Sequence, residues 1–90
     1  LTDREVELDE YEMVRLNEKL QIIKDNLDKN SEVTITYFEP DRRKSGGAYI
    51  SYTGFVKKIY EYEQTLMMKD GKNIPINQIK EIESEWFNEL

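Results

Sequence analysis

The sequence predicts an α+β domain, an N-terminal amphipathic helix followed by a strongly bent five-strand antiparallel β-barrel, and three observations carry that expectation. Apolar residues recur at steps of three and four from Met13 to Leu27, the spacing of one helix face. From Val33 the pattern changes to a period of two in strand-forming residues. After that no second helical stretch, repeat, low-complexity tract or linker interrupts the chain, so the remaining elements are short strands joined by turns. The whole chain, 1–90, reads as one domain, with a helix over about 3–30, a barrel over about 32–85 and an apolar tail at 86–90.

For the helix, Thr2 and Glu5 have capping-box spacing, and Asp3, Glu5 and Glu7 suit the positive end of a helix dipole. A second acidic cluster, Asp9-Glu10, offers another start. Met13, Leu16, Leu20, Ile23 and Leu27 form the apolar stripe, widened by Val14 and Ile22. Asn30 and Ser31 end the pattern, Asn being tolerant of the left-handed conformation that follows many helices.

The first strand, Glu32 to Glu39, sets Val33, Ile35 and Tyr37 on one face and Thr34, Thr36 and Phe38 on the other, and Pro40 closes it. The polar run from Asp41 to Gly47 is a turn. Residues 48–60 make the longest strand, with Ile50, Tyr52, Gly54 and Val56 in phase and Ile59 one position out of step. A bulge or bend near Lys57 and Lys58 restores inward packing, and Gly54 lets the strand curve. Thr65 to Lys69 is a strand with Leu66 and Met68 inward, and Asp70-Gly71 is the signature of a type I′ hairpin. Ile74 and Ile76 flank Pro75, which has no N–H for a ladder and marks an edge. Asn77 caps a tight turn through Gln78, a last strand centres on Ile82, and Trp86, Phe87 and Leu90 are apolar enough to pack on the domain or on a partner. A helix on a small, sharply bent five-strand barrel is the arrangement of Sm-like folds, in which curling the sheet removes its edges.

Composition narrows the function. Ninety residues with 38% hydrophobic content and a mean hydropathy of −0.79 support one modest core. The absence of cysteine leaves no disulfide framework and suits a reducing cytosol. No apolar run reaches the roughly 20 residues of a membrane span, and Leu-Thr-Asp-Arg-Glu is no signal peptide, so a soluble, cytoplasmic protein without membrane contact is expected. The chain starts at Leu1 and not at Met, which reads as a fragment or processed product lacking an upstream segment. Its net charge of −6 hides a basic middle: residues 42–80 carry 8 basic and 3 acidic side chains.

With no histidine and no cysteine, the commonest general base, metal ligand and thiol nucleophile are absent. The carboxylates are scattered over predicted solvent faces without Asp-x-Asp spacing. No catalytic, metal or cofactor site is therefore assigned, and the domain is expected to bind and not to catalyse. Gly46-Gly47 lacks the Gly-Lys-Ser/Thr and the helix of a phosphate loop. Two residue sets are candidates for contact. Arg42, Arg43, Lys44, Tyr49, Lys57 and Lys58 combine cations with rings, the composition of a nucleic-acid surface; the simpler reading is that they keep a turn and a sheet soluble. Leu8, Tyr11 and Met13 lie at the start of a helix that is long for so small a barrel, where an overhang could dimerise or take a protein partner.

The runs Val33-Thr34-Ile35-Thr36-Tyr37-Phe38, Thr53-Gly54-Phe55-Val56-Lys57-Lys58-Ile59, Gln64-Thr65-Leu66 and Ile74-Pro75-Ile76-Asn77-Gln78-Ile79-Lys80-Glu81-Ile82 together resemble the YolD-like family, over about Leu16 to Glu83. The resemblance implies a helix and an Sm-like barrel, a Gram-positive bacterial, phage or plasmid source, and an accessory subunit beside an error-prone Y-family DNA polymerase in translesion synthesis, DNA repair and the SOS response. Family members commonly open with an Asp-Arg-Gly segment followed by Lys-Trp and Leu-Pro-Glu-His segments, none of which occurs here. Because Pro75 deletes a donor from the edge through which Sm-like rings pair, a monomer or helix-mediated dimer is expected, not a ring.

Overall fold

A computed structural model describes residues 2–87 of the chain. One α-helix, α1 (Glu10–Asp25), is followed by six strands: β1 (Val33–Pro40), β2 (Gly47–Gly54), β3 (Val56–Tyr60), β4 (Thr65–Met68), β5 (Asn73–Pro75) and β6 (Ile79–Ser84). They form two antiparallel three-stranded sheets, ordered β2-β1-β6 and β3-β4-β5. This overturns the closed five-strand Sm-like barrel. The long 48–60 strand divides at Phe55 into β2 and β3, which belong to different sheets. On the other side β5 is only three residues long and ends at Pro75, and the chain then turns through a 3-10 segment, Ile76–Gln78, before β6 joins β1. No ladder connects β5 to β6, so the sheets do not close on each other.

The bend forms close to where the apolar phase slips. Phe55 stands outside both strands, its carbonyl accepting a 2.7 Å hydrogen bond from the Lys69 N–H, and the β3–β4 register shifts between Val56 and Lys58. The hairpin at Asp70-Gly71 is not type I′, because only Gly71 has a positive φ, at 96°. The Gly71 N–H donates to the Met68 carbonyl at 3.0 Å and the Met68 N–H to that of Lys72 at 2.8 Å. That is a three-residue loop, a type I turn closed by a glycine bulge.

The helix is shorter at both ends than the 3–30 span. Asp9, not Thr2, is its cap: the Asp9 carboxylate accepts from the Glu12 N–H at 2.7 Å, and the Glu12 carboxylate accepts from the Asp9 N–H at 3.1 Å. The Thr2–Glu5 pair forms no box because Thr2, Asp3 and Val6 find partners on β2 and the connection before it instead. The Thr2 hydroxyl donates to the Ser45 carbonyl at 2.6 Å, and Asp3 and Gly47 exchange backbone bonds of 2.6 and 2.7 Å. At the other end Asn26 stops the helix with φ −127° and ψ 26°, outside the helical region, its side chain donating to the Ile22 carbonyl at 2.7 Å.

Both sheets contribute to one core. Val33, Ile35 and Tyr37 of β1 and Ile79 and Ile82 of β6 pack with Val56, Leu66, Met68 and Ile74 of the second sheet, with Leu16 and Ile23 from α1 and with Phe87. Each of the fully buried aliphatic chains contributes about 1.5–3 kcal/mol. Leu20, Leu27 and Trp86 pack partly against this core, while Leu90 lies outside the described residues. Phe38, which alternation places with the solvent-facing threonines, is buried as well. The β1–β6 register slips between Thr36 and Tyr37, and the Phe38 ring meets Tyr49 edge-on at 5.2 Å.

Candidate functional site

The six residues of the basic and aromatic set do not share one surface. Arg42, Arg43 and Lys44 sit in the exposed β1–β2 connection, which Asp41 holds as a turn: its carboxylate accepts from the Arg43 and Lys44 N–H groups at 2.8 and 2.9 Å. Lys57 and Lys58 lie in β3, beyond the opposite end of β2, a strand about 24 Å long at the usual rise. The Lys58 ammonium stands 5.1 Å from the centre of the Tyr60 ring. Tyr49 belongs to neither cluster. Its ring packs on Phe38, its hydroxyl accepts from the Val6 N–H at 2.8 Å, and the Lys80 ammonium stands 5.2 Å from its centre. The ring is half-buried among these partners and not presented beside either basic cluster. The acidic N-terminal strap also attaches beside the basic turn, through Thr2 to Ser45 and Asp3 to Gly47.

Leu8, Tyr11 and Met13, by contrast, fall at one end of the molecule. The extended strap reaches α1 there, and Tyr11 and Glu12 of the first turn border Lys80, Glu81 and Ile82 of β6. Tyr11 is 71% exposed and Met13 54%, with Val14 at 51% and Val6 at 62% beside them. Leu8 is half-buried against the core. Leu8 and Met13, together with Val6, Tyr49, Ile76 and Lys80, line a cleft of about 460 Å³ between strap, helix and the 3-10 turn. Tyr11 faces a neighbouring depression of about 240 Å³ with Arg15, Lys19 and Glu81. Around this apolar ground stand the exposed carboxylates Glu5, Glu7, Asp9, Glu10 and Glu12. Sequence reasoning missed Val6 and Lys80 as members. Val6 carried a signal, an isolated aliphatic residue in an acidic run; Lys80 carried none, since its role depends on β6 passing near Tyr49.

A second polar group pins the hairpin between β4 and β5 to the first sheet. The Tyr52 hydroxyl donates to the Asp70 carboxylate, and the Lys72 ammonium lies 5.5 Å from the centre of the Tyr37 ring and 5.9 Å from that of Tyr52. The Tyr52 hydrogen bond, with the Lys72 N–H, holds the Asp70 carboxyl below its ordinary range, while the same bond to Asp70 pushes the Tyr52 phenol up. The interaction with the Tyr37 hydroxyl raises the Lys72 ammonium. All three shifts favour the forms present at neutral pH, so this group holds two sheets together and has no acid or base poised for transfer. Among the described residues no three carboxylates converge as metal ligands, and no helix is long and apolar enough to cross a membrane. No protein-family model, no curated protein and no solved structure matches the chain, so the YolD-like resemblance stands on its quoted motifs alone.

Proposed function

We propose that the domain is a non-catalytic accessory module that binds a protein partner through the exposed first turns of α1 and the cleft beside them. By the YolD-like resemblance the partner is an error-prone Y-family DNA polymerase, and the setting is translesion synthesis during the SOS response in a bacterial cytoplasm. The observation that carries the reading is the exposure of Val6, Tyr11, Met13 and Val14, all within nine residues where the strap enters α1. Aromatic and methionine side chains are enriched where partners bury them, and burying such anchors supplies most of the energy of an interface. The rim of carboxylates fits a partner patch with an apolar centre and a basic border. It also opposes nucleic acid at this end, and the separation of the two basic clusters weakens the phosphate-binding alternative.

The test uses the complete protein and the polymerase. Tyr11→Glu and Met13→Glu together should reduce co-purification of the polymerase at least tenfold without altering the fold, whereas Glu at Arg42, Arg43 and Lys44 should leave it intact. The purified chain should show no nuclease or phosphatase activity with magnesium or manganese. Undiminished complex formation by the helix variant would refute the assigned surface. Salt-sensitive binding of an oligonucleotide, lost in the triple Glu variant, would replace the reading with the nucleic-acid one.

A further inference from the structure

A strand edge exposes main-chain donors and acceptors to any other strand, and proteins ordinarily blunt such edges with charge, proline, bulges or brevity. Three of the four outer edges here are blunted. β5 has three residues and ends at Pro75; β3 carries Lys57 and Lys58 and an irregular register; β6 carries Lys80, Glu81 and Glu83 and pairs with β1 through a register shift. β2 is different. Its eight residues, Gly-Ala-Tyr-Ile-Ser-Tyr-Thr-Gly, include no charge and no proline, and its register with β1 is unbroken from Gly47 to Gly54.

The direction of the free groups follows from the strap. Gly47 exchanges both of its backbone bonds with Asp3, so its N–H and C=O point away from β1. Alternation then turns the N–H and C=O of Tyr49, Ser51 and Thr53 to the same side, where none has a backbone partner among the described residues. Beyond Gly54 the chain leaves this edge at Phe55. The open stretch therefore runs from Ala48 to Gly54, and Ser51 is its midpoint.

We propose that this edge pairs with the same edge of a second copy of the chain, antiparallel about a two-fold axis through Ser51. Tyr49 of one copy then lies opposite Thr53 of the other and Ser51 opposite Ser51, which makes about six backbone hydrogen bonds and joins two three-stranded sheets into one of six strands. The fit is steric as well as polar. Ala48 meets Gly54 of the second copy, and that strand bends away at its own Phe55 where Asp3 already occupies the edge. Charge selects the same occupant. Each chain carries a net −6, yet no charged side chain falls on the paired strands, and the Tyr49–Thr53 neighbours are a favourable aromatic and β-branched pair. Self-pairing at β3 or β6 would instead oppose like charges. The surface meets the cleft assigned to a protein partner only at Tyr49, whose side chain lines that cleft while its main chain lies on the β2 edge, and it does not depend on that assignment.

Light scattering of the full chain across two decades of concentration, with amide hydrogen exchange, decides the matter. The expected result is a monomer–dimer equilibrium with Tyr49, Ser51 and Thr53 amides protected only at high concentration. Ser51→Pro removes an outward donor that takes no part in the β1 ladder, and Ser51→Lys sets two cations across the axis; each should weaken dimerisation at least tenfold. Should the proline variant fold poorly, the lysine variant decides alone. A chain monomeric throughout, a dimer that survives Ser51→Lys, or a dimer lost instead in Tyr11→Glu would overturn the proposal.

Discussion

Substituting Gly54 tests the bend between the two sheets. A Cβ built on Gly54 would stand 3.2 Å from the Met68 Cε and 3.9 Å from the Tyr52 Cε1. The first neighbour is the end of a flexible side chain, so Gly54→Ala asks the Met68 methyl to yield by a few tenths of an ångström. It also removes conformational freedom from the unfolded chain, an effect worth about 0.4–1 kcal/mol in favour of folding. The two effects oppose each other, and Gly54→Ala should change the melting midpoint by less than about 5 °C. Gly54→Val adds two more methyl groups at a site where Met68 is fully buried and has nowhere to retreat. Overpacking of this kind costs about 1–3 kcal/mol. For a domain of this size that corresponds to a fall of roughly 5–20 °C. Thermal unfolding followed by circular dichroism reads both values, and Met68→Leu in the Gly54→Val background should recover part of the loss if the two side chains collide. A valine variant that melts with the parent, or a loss that Met68→Leu leaves untouched, would refute the packing described at the bend.

Two further outcomes follow from the caps and the titrating groups. Asp9→Ala removes the acceptor for the Glu12 N–H and should destabilise the protein by about 1 kcal/mol, read by denaturant unfolding, whereas Glu5→Ala should be neutral because no capping box forms at Thr2. Folding lowers the Asp70 carboxyl below its ordinary 3.8, so its contribution is complete above that value and disappears as pH falls through the lowered one. Tyr52, raised above its ordinary 10.0, contributes fully below that value and loses its contribution as pH rises through the raised one. The midpoint difference between the parent and Asp70→Asn should therefore shrink as pH falls below the ordinary 3.8 of the carboxyl; a constant difference would mean that the Tyr52–Asp70 bond does not form.

The pairing of sequence with structure divides along a physical line. Period-two alternation already placed Val33, Ile35 and Tyr37 inward, the phase slip after Val56 announced a break in the long strand, and Pro75 marked β5 as an edge. These are local properties: side-chain periodicity and backbone restriction act within a few residues and can be read there. The first turn of the helix could not be read in the same way, because Thr2 and Asp9 both head plausible capping sequences. What separates them is that Thr2 finds Ser45, 43 residues away. Nor could the spacing of the basic residues be read, since Arg42 and Lys57 are near in sequence but lie beyond opposite ends of an extended strand. Whether the bent strand closes a barrel or splits between two sheets was likewise decided only in three dimensions, where the short β5 and the turn after Pro75 leave no ladder between β5 and β6. Local periodicity placed Val33, Ile35, Tyr37, Leu66 and Met68 inward and located the bend, but not the burial of Phe38; tertiary structure decided which distant edges meet, because closure depends on partners that local propensity does not encode.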